Sequence, residues 1–264
     1  MKTRISAAIC LLCVVGLSDL TQAEKLPDMS SGTIEPYISV MAGIAIPFSE
    51  DATFRNGDVD RDVDYQNKQS IGGNAGIWFP TRNKLAGFDL GTEIAGFVWW
   101  PDVACCRAGF NGVPAPNPQG FEGTTTEIQA IYIGANFLIR RPMAISEAYP
   151  NGRWHPYVGV GVGAHQMSMR PGGSRGATFQ NPIVDQRDTQ IAFQALGGVK
   201  AHLFKYVAAF VEAKYIHANH EELNTDRSGR SQPFGDGLFV DQFESTIRTV
   251  LVHAGVSVHF DIRP

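Results

Sequence analysis

The motif His217-x-x-His220-Glu221-Glu222, in the last third of the chain, is the sequence feature best suited to chemistry. Imidazole and carboxylate groups are good ligands for divalent transition metals. The motif falls on a predicted strand end and the loop after it, where nothing fixes the spacing of the ligands. We therefore interpret the four side chains as solvated loop residues, and the sequence predicts no metal site and no cofactor.

His217 also has the chemistry of a general base for hydrolysis. A hydrolase of this kind needs a nucleophile beside the base. Ala218 and Asn219 stand where a serine is required, and the nearest downstream serine, Ser228, lies deep in a predicted loop. The sequence therefore predicts no catalytic residue, and an enzyme is kept as an alternative.

The predicted loop of residues 49–67 is acidic, with four aspartates at alternate positions: Asp58, Asp60, Asp62 and Asp64. This pattern resembles the start of a calcium loop, but Val63 replaces the turn glycine and Gln69 replaces the closing glutamate. We interpret the segment as a soluble loop. A weak site for divalent ions or for bridging lipopolysaccharide is the alternative.

The N-terminus indicates export. Lys2 and Arg4 precede the apolar run Ile5–Leu17, and the small residue Ala23 follows, so residues 1–23 are predicted to be a signal peptide. The run is too short to span a bilayer as a helix. Residues 24–35 are then a polar periplasmic leader, and residues 36–264 form one domain.

Removing residues 1–23 leaves 20 basic and 25 acidic side chains, a net charge of −5. That balance provides no basic surface for nucleic acid. The two cysteines that remain are the adjacent pair Cys105 and Cys106. A vicinal disulfide, an intermolecular bridge and two free thiols all stay open for this pair in an oxidising compartment.

The last predicted strand, Thr246–Phe260, shows which elements position the polar side chains. From Val250 to Phe260 every second residue is apolar, and the alternate residues are mostly small or polar. A period of two indicates a strand with two unlike faces, one for hydrocarbon and one for a polar interior. At about 3.3 Å per residue and a tilt of about 40°, these residues cover roughly 25 Å, the height of the apolar band of an outer-membrane barrel.

Seven earlier segments alternate in the same way: 36–48, 68–80, 86–100, 124–140, 154–169, 188–204 and 206–217. The connections alternate between long and short, which puts both termini on the periplasmic side and four long loops outside. The sequence therefore predicts an all-β fold, an eight-stranded antiparallel up-and-down transmembrane barrel in the bacterial outer membrane. A barrel of eight strands is filled by side chains.

Alternation also assigns the faces of each strand. Phe88 and Trp100, at the two ends of one outward face, and Phe260 are predicted to belong to interfacial aromatic girdles. Four charged residues fall on inward positions and are predicted to form an interior charge network: Glu93, Lys200, Glu212 and Lys214. Because unpaired charges in a narrow lumen are costly, opposite signs should meet, with Lys200 near Glu212. Four inward histidines are interpreted as packing and hydrogen-bonding groups: His165, His202, His253 and His259.

Several segments carry a family resemblance: IGGNAGIWFP, AGFDLGTEIAGF, PYVGVGVGAH, AAFVEAKYIHANHE and VLVHAGVSVHF. In this order they resemble the successive strands of the OmpA/OmpX-like small outer-membrane barrels, from about Pro36 to Phe260. The resemblance implies a non-enzymatic barrel with a structural or surface-interaction role through its outer loops. The implied partners are outer-membrane lipid, lipopolysaccharide and the barrel assembly machinery. A lipid A deacylase-like enzyme and a small channel or ligand transporter are the alternatives.

Overall fold

The computed structural model describes residues 33–262, except 55–58, 66, 102, 105–126, 171–185 and 227–239. The predicted signal peptide, most of the leader and Cys105 and Cys106 lie outside the described residues. The described part of the chain has eleven strands: β1 Glu35–Pro47, β2 Glu50–Phe54, β3 Val59–Tyr65, β4 Lys68–Phe79, β5 Asp89–Trp99, β6 Val103–Ala104, β7 Glu127–Arg140, β8 Trp154–Arg170, β9 Gln186–Phe204, β10 Val207–Asp226 and β11 Val240–His259.

Eight of these strands close into a barrel. The order is β1-β4-β5-β7-β8-β9-β10-β11, and β11 pairs back onto β1. Each neighbouring pair is antiparallel, including the closing pair, whose register runs from Tyr37↔His259 to Pro47↔Thr249. A closed sheet leaves no unpaired edge, which is the condition for crossing lipid with strands. The predicted fold class is therefore confirmed.

The outward faces agree with the predicted alternation. In β1 the outward Val40 is 70% exposed and in β5 the outward Ile94 is 65% exposed, while their inward neighbours Met41 and Glu93 are 3% and 6% exposed. A continuous apolar exterior around a polar interior is the architecture of barrels in the bacterial outer membrane, where the sequence predicted the chain to lie. The described residues include no helix that is long and apolar enough to cross a bilayer.

Two predicted loops are wrong in part. Residues 218–242 were expected to be a loop, but β10 continues to Asp226 and β11 begins at Val240. Residues 49–67 were expected to be a loop, but they contain β2 and β3, and β2 pairs with β11 next to Phe243. Beyond the bilayer both faces of a strand meet water, so the alternation of apolar and polar residues no longer marks a strand. The backbone groups along the exposed edge of β11 can still pair with another strand.

Large side chains fill the interior because glycines on the neighbouring strand make room for them. In β8, Gly159 faces Leu138, and a Cβ built on that glycine would overlap the leucine side chain. Gly161 faces the amide of Asn136 in the same way. Inward glycines therefore accommodate large inward neighbours, and substitution with alanine at either glycine would force the neighbouring side chain to move.

Replacing an outward side chain at mid-barrel with arginine tests the lipid-facing assignment. Ile94→Arg and Val160→Arg should each lower the free energy of unfolding by about 2–4 kcal/mol, because the charge would lie near the bilayer midplane. Unfolding in urea, measured on protein folded into lipid vesicles, checks this. Leu85→Arg is the control, because Leu85 is an exposed apolar residue in the turn between β4 and β5. If all three variants unfold alike, the outward face does not contact lipid.

Candidate functional site

The interior of the barrel is the candidate site, because it holds nearly all of the buried polar residues. We call the end with the short connections the periplasmic end and the opposite end the outer end. An apolar cluster with Phe97, Tyr132 and Leu251 fills the outer half, and a smaller one with Tyr37, Trp78 and Leu138 lies nearer the periplasmic end. The charged side chains are arranged around and between these two clusters.

Glu93 of β5 is the centre of the mid-barrel network. Its Oε2 accepts a hydrogen bond from the hydroxyl of Tyr37 and another from Nδ2 of Asn74, each at 2.6 Å. Its Oε1 accepts a hydrogen bond from Nδ2 of Asn136 at 2.9 Å. The donors come from β1, β4 and β7, so a single buried carboxylate ties four strands together. Three donors satisfy much of its accepting capacity, as a buried charge requires.

Glu212 and Lys214 form an ion pair within β10. The distance from Nζ of Lys214 to Oε1 of Glu212 is 2.9 Å, and both side chains are almost fully buried. Residues two apart on a strand share a face, which brings the two charges together. The hydroxyl of Tyr157 on β8 donates to the other oxygen of Glu212 at 3.0 Å. This carboxylate therefore contacts both a cation and a neutral donor.

Lys200 of β9 has a different environment. Its ammonium lies 4.0 Å from the centroid of the Tyr37 ring and 5.4 Å from that of Phe210, close enough for cation–π attraction. Among the described ion pairs, none joins Lys200 to Glu212. The lysine that meets Glu212 is Lys214, because adjacent inward positions on one strand are closer than the two positions on β9 and β10 that were expected to meet.

A second charged group lies at the periplasmic end. Nη2 of Arg140 is 2.5 Å from Oε2 of Glu35 and 3.2 Å from Oδ2 of Asp89. The guanidinium also lies over the ring of Trp78, 4.6 Å from its centroid. Glu35 was assigned to the leader at the sequence level, yet it begins β1 and is 1% exposed. Glu35 lies two residues before Tyr37 and therefore on the same inward face. This spacing was the sequence signal that could have identified it as an inward residue.

Six of the seven histidines are buried, and most of them lie in two clusters. At the periplasmic end the ring of His202 meets His155 edge to face and His259 at a tilt, with ring centroids 5.1 Å and 4.7 Å apart. His165 and His220 meet at the outer end. His253 lies apart from both clusters, and its Nε2 is 2.9 Å from the hydroxyl oxygen of Ser70.

The outer cluster is a hydrogen-bonded chain that ends on a carboxylate. Nδ1 of His220 is 2.7 Å from Oδ2 of Asp188, and Nε2 of His220 is 2.7 Å from Nδ1 of His165. An imidazole held by a carboxylate in this way can accept or relay a proton. Within the described residues, no hydroxyl or thiol hydrogen-bonds His165 or His220, so the chain has a base and no nucleophile.

This geometry corrects the interpretation of the motif at residues 217–222. His220 is a buried residue of β10, not a solvated loop residue, because β10 extends past it. His217 lies three positions earlier, on the opposite face of the strand, so the two histidines do not share a site. Of the aspartates in the acidic segment, Asp60, Asp62 and Asp64 lie in β3, an extended strand that does not have the curvature of a calcium loop.

The predicted girdle residues are exposed at the ends of their strands. Phe88 precedes β5 and is 39% exposed, Trp100 follows β5 and is 44% exposed, and Phe260 follows β11 and is 48% exposed. Phe88 and Phe260 lie at the periplasmic end, together with the exposed Trp154 and Phe204. Trp100 lies at the outer end.

No protein-family model matches the chain, and no curated protein matches its sequence. Solved structures with a similar fold include three bacterial outer-membrane proteins. Neisserial surface protein A is 15% identical, with 85% of this chain and 97% of that chain covered and a TM-score of 0.40. OprG of Pseudomonas aeruginosa is 11% identical, covering 88% and 99%, with a TM-score of 0.42. A major outer membrane protein of Thermus thermophilus is 11% identical, covering 85% and 99%, with a TM-score of 0.44. The likeness concerns the fold alone.

Proposed function

We propose that this protein is a non-enzymatic outer-membrane barrel with a side-chain-filled lumen, which uses its outer end for structural or surface interactions. The observation that supports this most directly is the mid-barrel network around Glu93. Its donors come from three strands, and they bring Tyr37, Asn74 and Asn136 together at one carboxylate in the lumen. A cross-section occupied in this way has no continuous water column for ions.

Aromatic packing closes the lumen next to this network. The rings of Phe97 and Tyr132 stack with centroids 5.0 Å apart, and Phe97 also lies 5.8 Å from Trp99. On the other side Trp78 meets Tyr157 edge to face at 6.5 Å. Because these layers are apolar and flank the charges, they raise the electrostatic barrier to an ion that would enter from either end.

The outer end offers an ordered surface for interaction. β10 and β11 have 20 residues each and pair out to Asp226↔Val240. β2, β3 and β6 extend the sheet from β11. Interaction sites are often carried by loops on a rigid scaffold, and this strand extension supplies such a scaffold above the membrane. Lipopolysaccharide of the outer leaflet is the partner that this location favours.

A hydrolytic role towards lipid is the second candidate, and the hydrogen-bonded chain Asp188–His220–His165 is the observation that favours it. The chain lies at the outer end, on the side of the lipopolysaccharide leaflet. It would need a nucleophile or an activated water next to His165, whose Nε2 is buried without a hydrogen-bond partner among the described residues. A barrel without hydrolytic activity remains the first candidate, because no described side chain supplies that nucleophile.

Breaking the pair Glu212–Lys214 tests whether the interior charges are buried and dependent on each other. Lys214→Met should lower the free energy of unfolding by about 3–5 kcal/mol, because Glu212 is left as an uncompensated buried charge. Glu212→Gln combined with Lys214→Met should cost less than the sum of the two single changes. Urea unfolding in lipid vesicles measures both. Lys84→Met, in an exposed turn, is the control, and additive effects without coupling would mean that water separates the two charges.

Conductance in planar bilayers tests the filled lumen. The parent should give no steady open-channel current. Glu93→Ala combined with Phe97→Ala and Tyr132→Ala should give measurable leakage, because it removes both the carboxylate that holds the mid-barrel network together and the stacked rings next to it. Phe137→Ala is the matched control, since Phe137 is an exposed aromatic residue on the outward face of β7. A parent that conducts as a steady pore would contradict the proposal and favour the channel alternative.

Release of acyl chains from purified lipid A separates the two candidates. The folded parent should release no more than a heat-denatured sample does. Turnover by the parent that disappears in His220→Asn, with folding unchanged on an unheated gel, would establish the hydrolytic role instead. His253→Asn is the control, because His253 is buried elsewhere in the barrel.

A further inference from the structure

We propose that Glu35, His202 and His259 bind a divalent transition metal ion inside the periplasmic end of the barrel, with zinc as the best-suited ion. The three residues come from β1, β9 and β11. One ligand atom from each residue lies within 4.8 Å of the other two. The three side chains are between 1% and 5% exposed. Two imidazoles and one carboxylate form a common zinc ligand set.

Oε1 of Glu35 faces one nitrogen of each of the two imidazole rings. Oε1 of Glu35 lies 2.5 Å from Nδ1 of His259 and 3.8 Å from Nε2 of His202. All three atoms are buried, and Nε2 of His202 has no hydrogen-bond partner within the described part of the chain. Buried polar atoms are nearly always satisfied in folded proteins. Nε2 of His202 faces the carboxylate at 3.8 Å without a hydrogen bond to it, so a metal ion between the three ligand atoms would give this nitrogen the partner that it lacks.

Contacts at the far side of each ring orient one nitrogen of that ring towards Glu35. Nε2 of His259 is 2.8 Å from the hydroxyl of Ser257, and that hydroxyl donates to the carbonyl of Ala208 at 3.4 Å. This contact fixes the ring so that Nδ1 is the nitrogen that faces Glu35. The ring of His202 hydrogen-bonds the backbone of Phe204, while its Nε2 faces Glu35. Metal-binding histidines are usually oriented by such contacts on the other ring nitrogen.

A metal ion bound here would displace a proton shared between His259 and Glu35, because imidazole and carboxylate ligands bind metals in their deprotonated forms. The other oxygen of Glu35 already contacts Arg140, which is shared with Asp89. The guanidinium therefore occupies Oε2 and leaves Oε1 for a second cation. Asp89 also offsets the charge of Arg140. Arg140 therefore repels an incoming metal ion less than an isolated arginine would.

The separations suit a small ion after a modest adjustment. Zinc bonds of about 2.0–2.1 Å in a tetrahedral arrangement separate the ligand atoms by roughly 3.4 Å. The Glu35–His202 distance of 3.8 Å is near this value, and the Glu35–His259 distance of 2.5 Å would lengthen. His155 lies beside His202, and its buried Nδ1 also lacks a partner among the described residues.

The location gives the site a structural role. Glu35 and His259 lie on β1 and β11, the two strands that close the barrel, and His202 lies on β9, which is separated from β1 by β10 and β11. An ion bound here would join the closing strands to the rest of the sheet at the periplasmic end. Three protein ligands from distant parts of the chain are present together only after closure, so binding would favour the closed barrel over the unfolded chain.

Zinc titration of the untagged protein tests the proposal. The protein, with Cys105→Ser and Cys106→Ser to remove other metal ligands, is folded into lipid vesicles, treated with chelator and titrated by calorimetry. The expected result is one zinc ion per chain, with affinity at least about tenfold weaker in His202→Asn, His259→Asn and Glu35→Gln. His253→Asn is the matched control, because His253 is a buried histidine on the same strand as His259, and it should bind like the parent.

Two further measurements keep the test decisive if a ligand variant fails to fold. Zinc should raise the thermal unfolding temperature of the parent, and chelator should reverse the rise. Cobalt bound to the parent should give the visible absorption of a four-coordinate ion. Absence of zinc binding by the folded parent would overturn the proposal and would mean that a proton shared between His259 and Glu35 occupies the site. Binding that is equal in the parent and in the three ligand variants would overturn it as well.

Discussion

The pairing of β1 with β11 is the interaction on which the rest of the structure depends. Its register of eleven residue pairs, from Tyr37↔His259 to Pro47↔Thr249, removes the two open edges of the sheet. In lipid an open edge would leave a row of backbone donors and acceptors without partners, at several kcal/mol for each group. Closure with eight strands also makes the lumen narrow. Every inward side chain then has to share space and hydrogen bonds with inward side chains of other strands.

The features that follow from this constraint were the ones the sequence could predict. Ile94 and Glu93 are neighbours in β5, and they face media of very different polarity. The side chains of a strand between two unlike media have to alternate in polarity. The odd or even position of a residue along the strand is therefore enough to assign Ile94 to lipid and Glu93 to the lumen. The same rule identifies eight segments and their faces. The rule works because every strand between the two membrane surfaces separates apolar lipid from the polar lumen.

The odd or even position of a residue along its strand does not predict its contacts inside the lumen. It places Lys200, Glu212 and Lys214 on the inward set, but their pairing depends on strand stagger and side-chain reach. The pair that forms is Glu212–Lys214 within one strand, and Lys200 lies over the ring of Tyr37. Glu35 was missed for a related reason, since a glutamate at the start of a strand resembles the polar leader before it. His220 was missed because alternation loses its meaning where β10 leaves the bilayer.

The length of the last hairpin shows how the outer end differs from the rest. A strand of 20 residues at about 3.3 Å per residue and a tilt of about 40° rises roughly 50 Å, about twice the apolar band. The pairing of β10 with β11 shifts register between His220 and Leu223, and a shift of this kind bends and twists a two-stranded ribbon. Below that point each residue is constrained by lipid on one side and a crowded lumen on the other. Above it only the backbone pairing is required, so the sequence no longer has to alternate between apolar and polar residues.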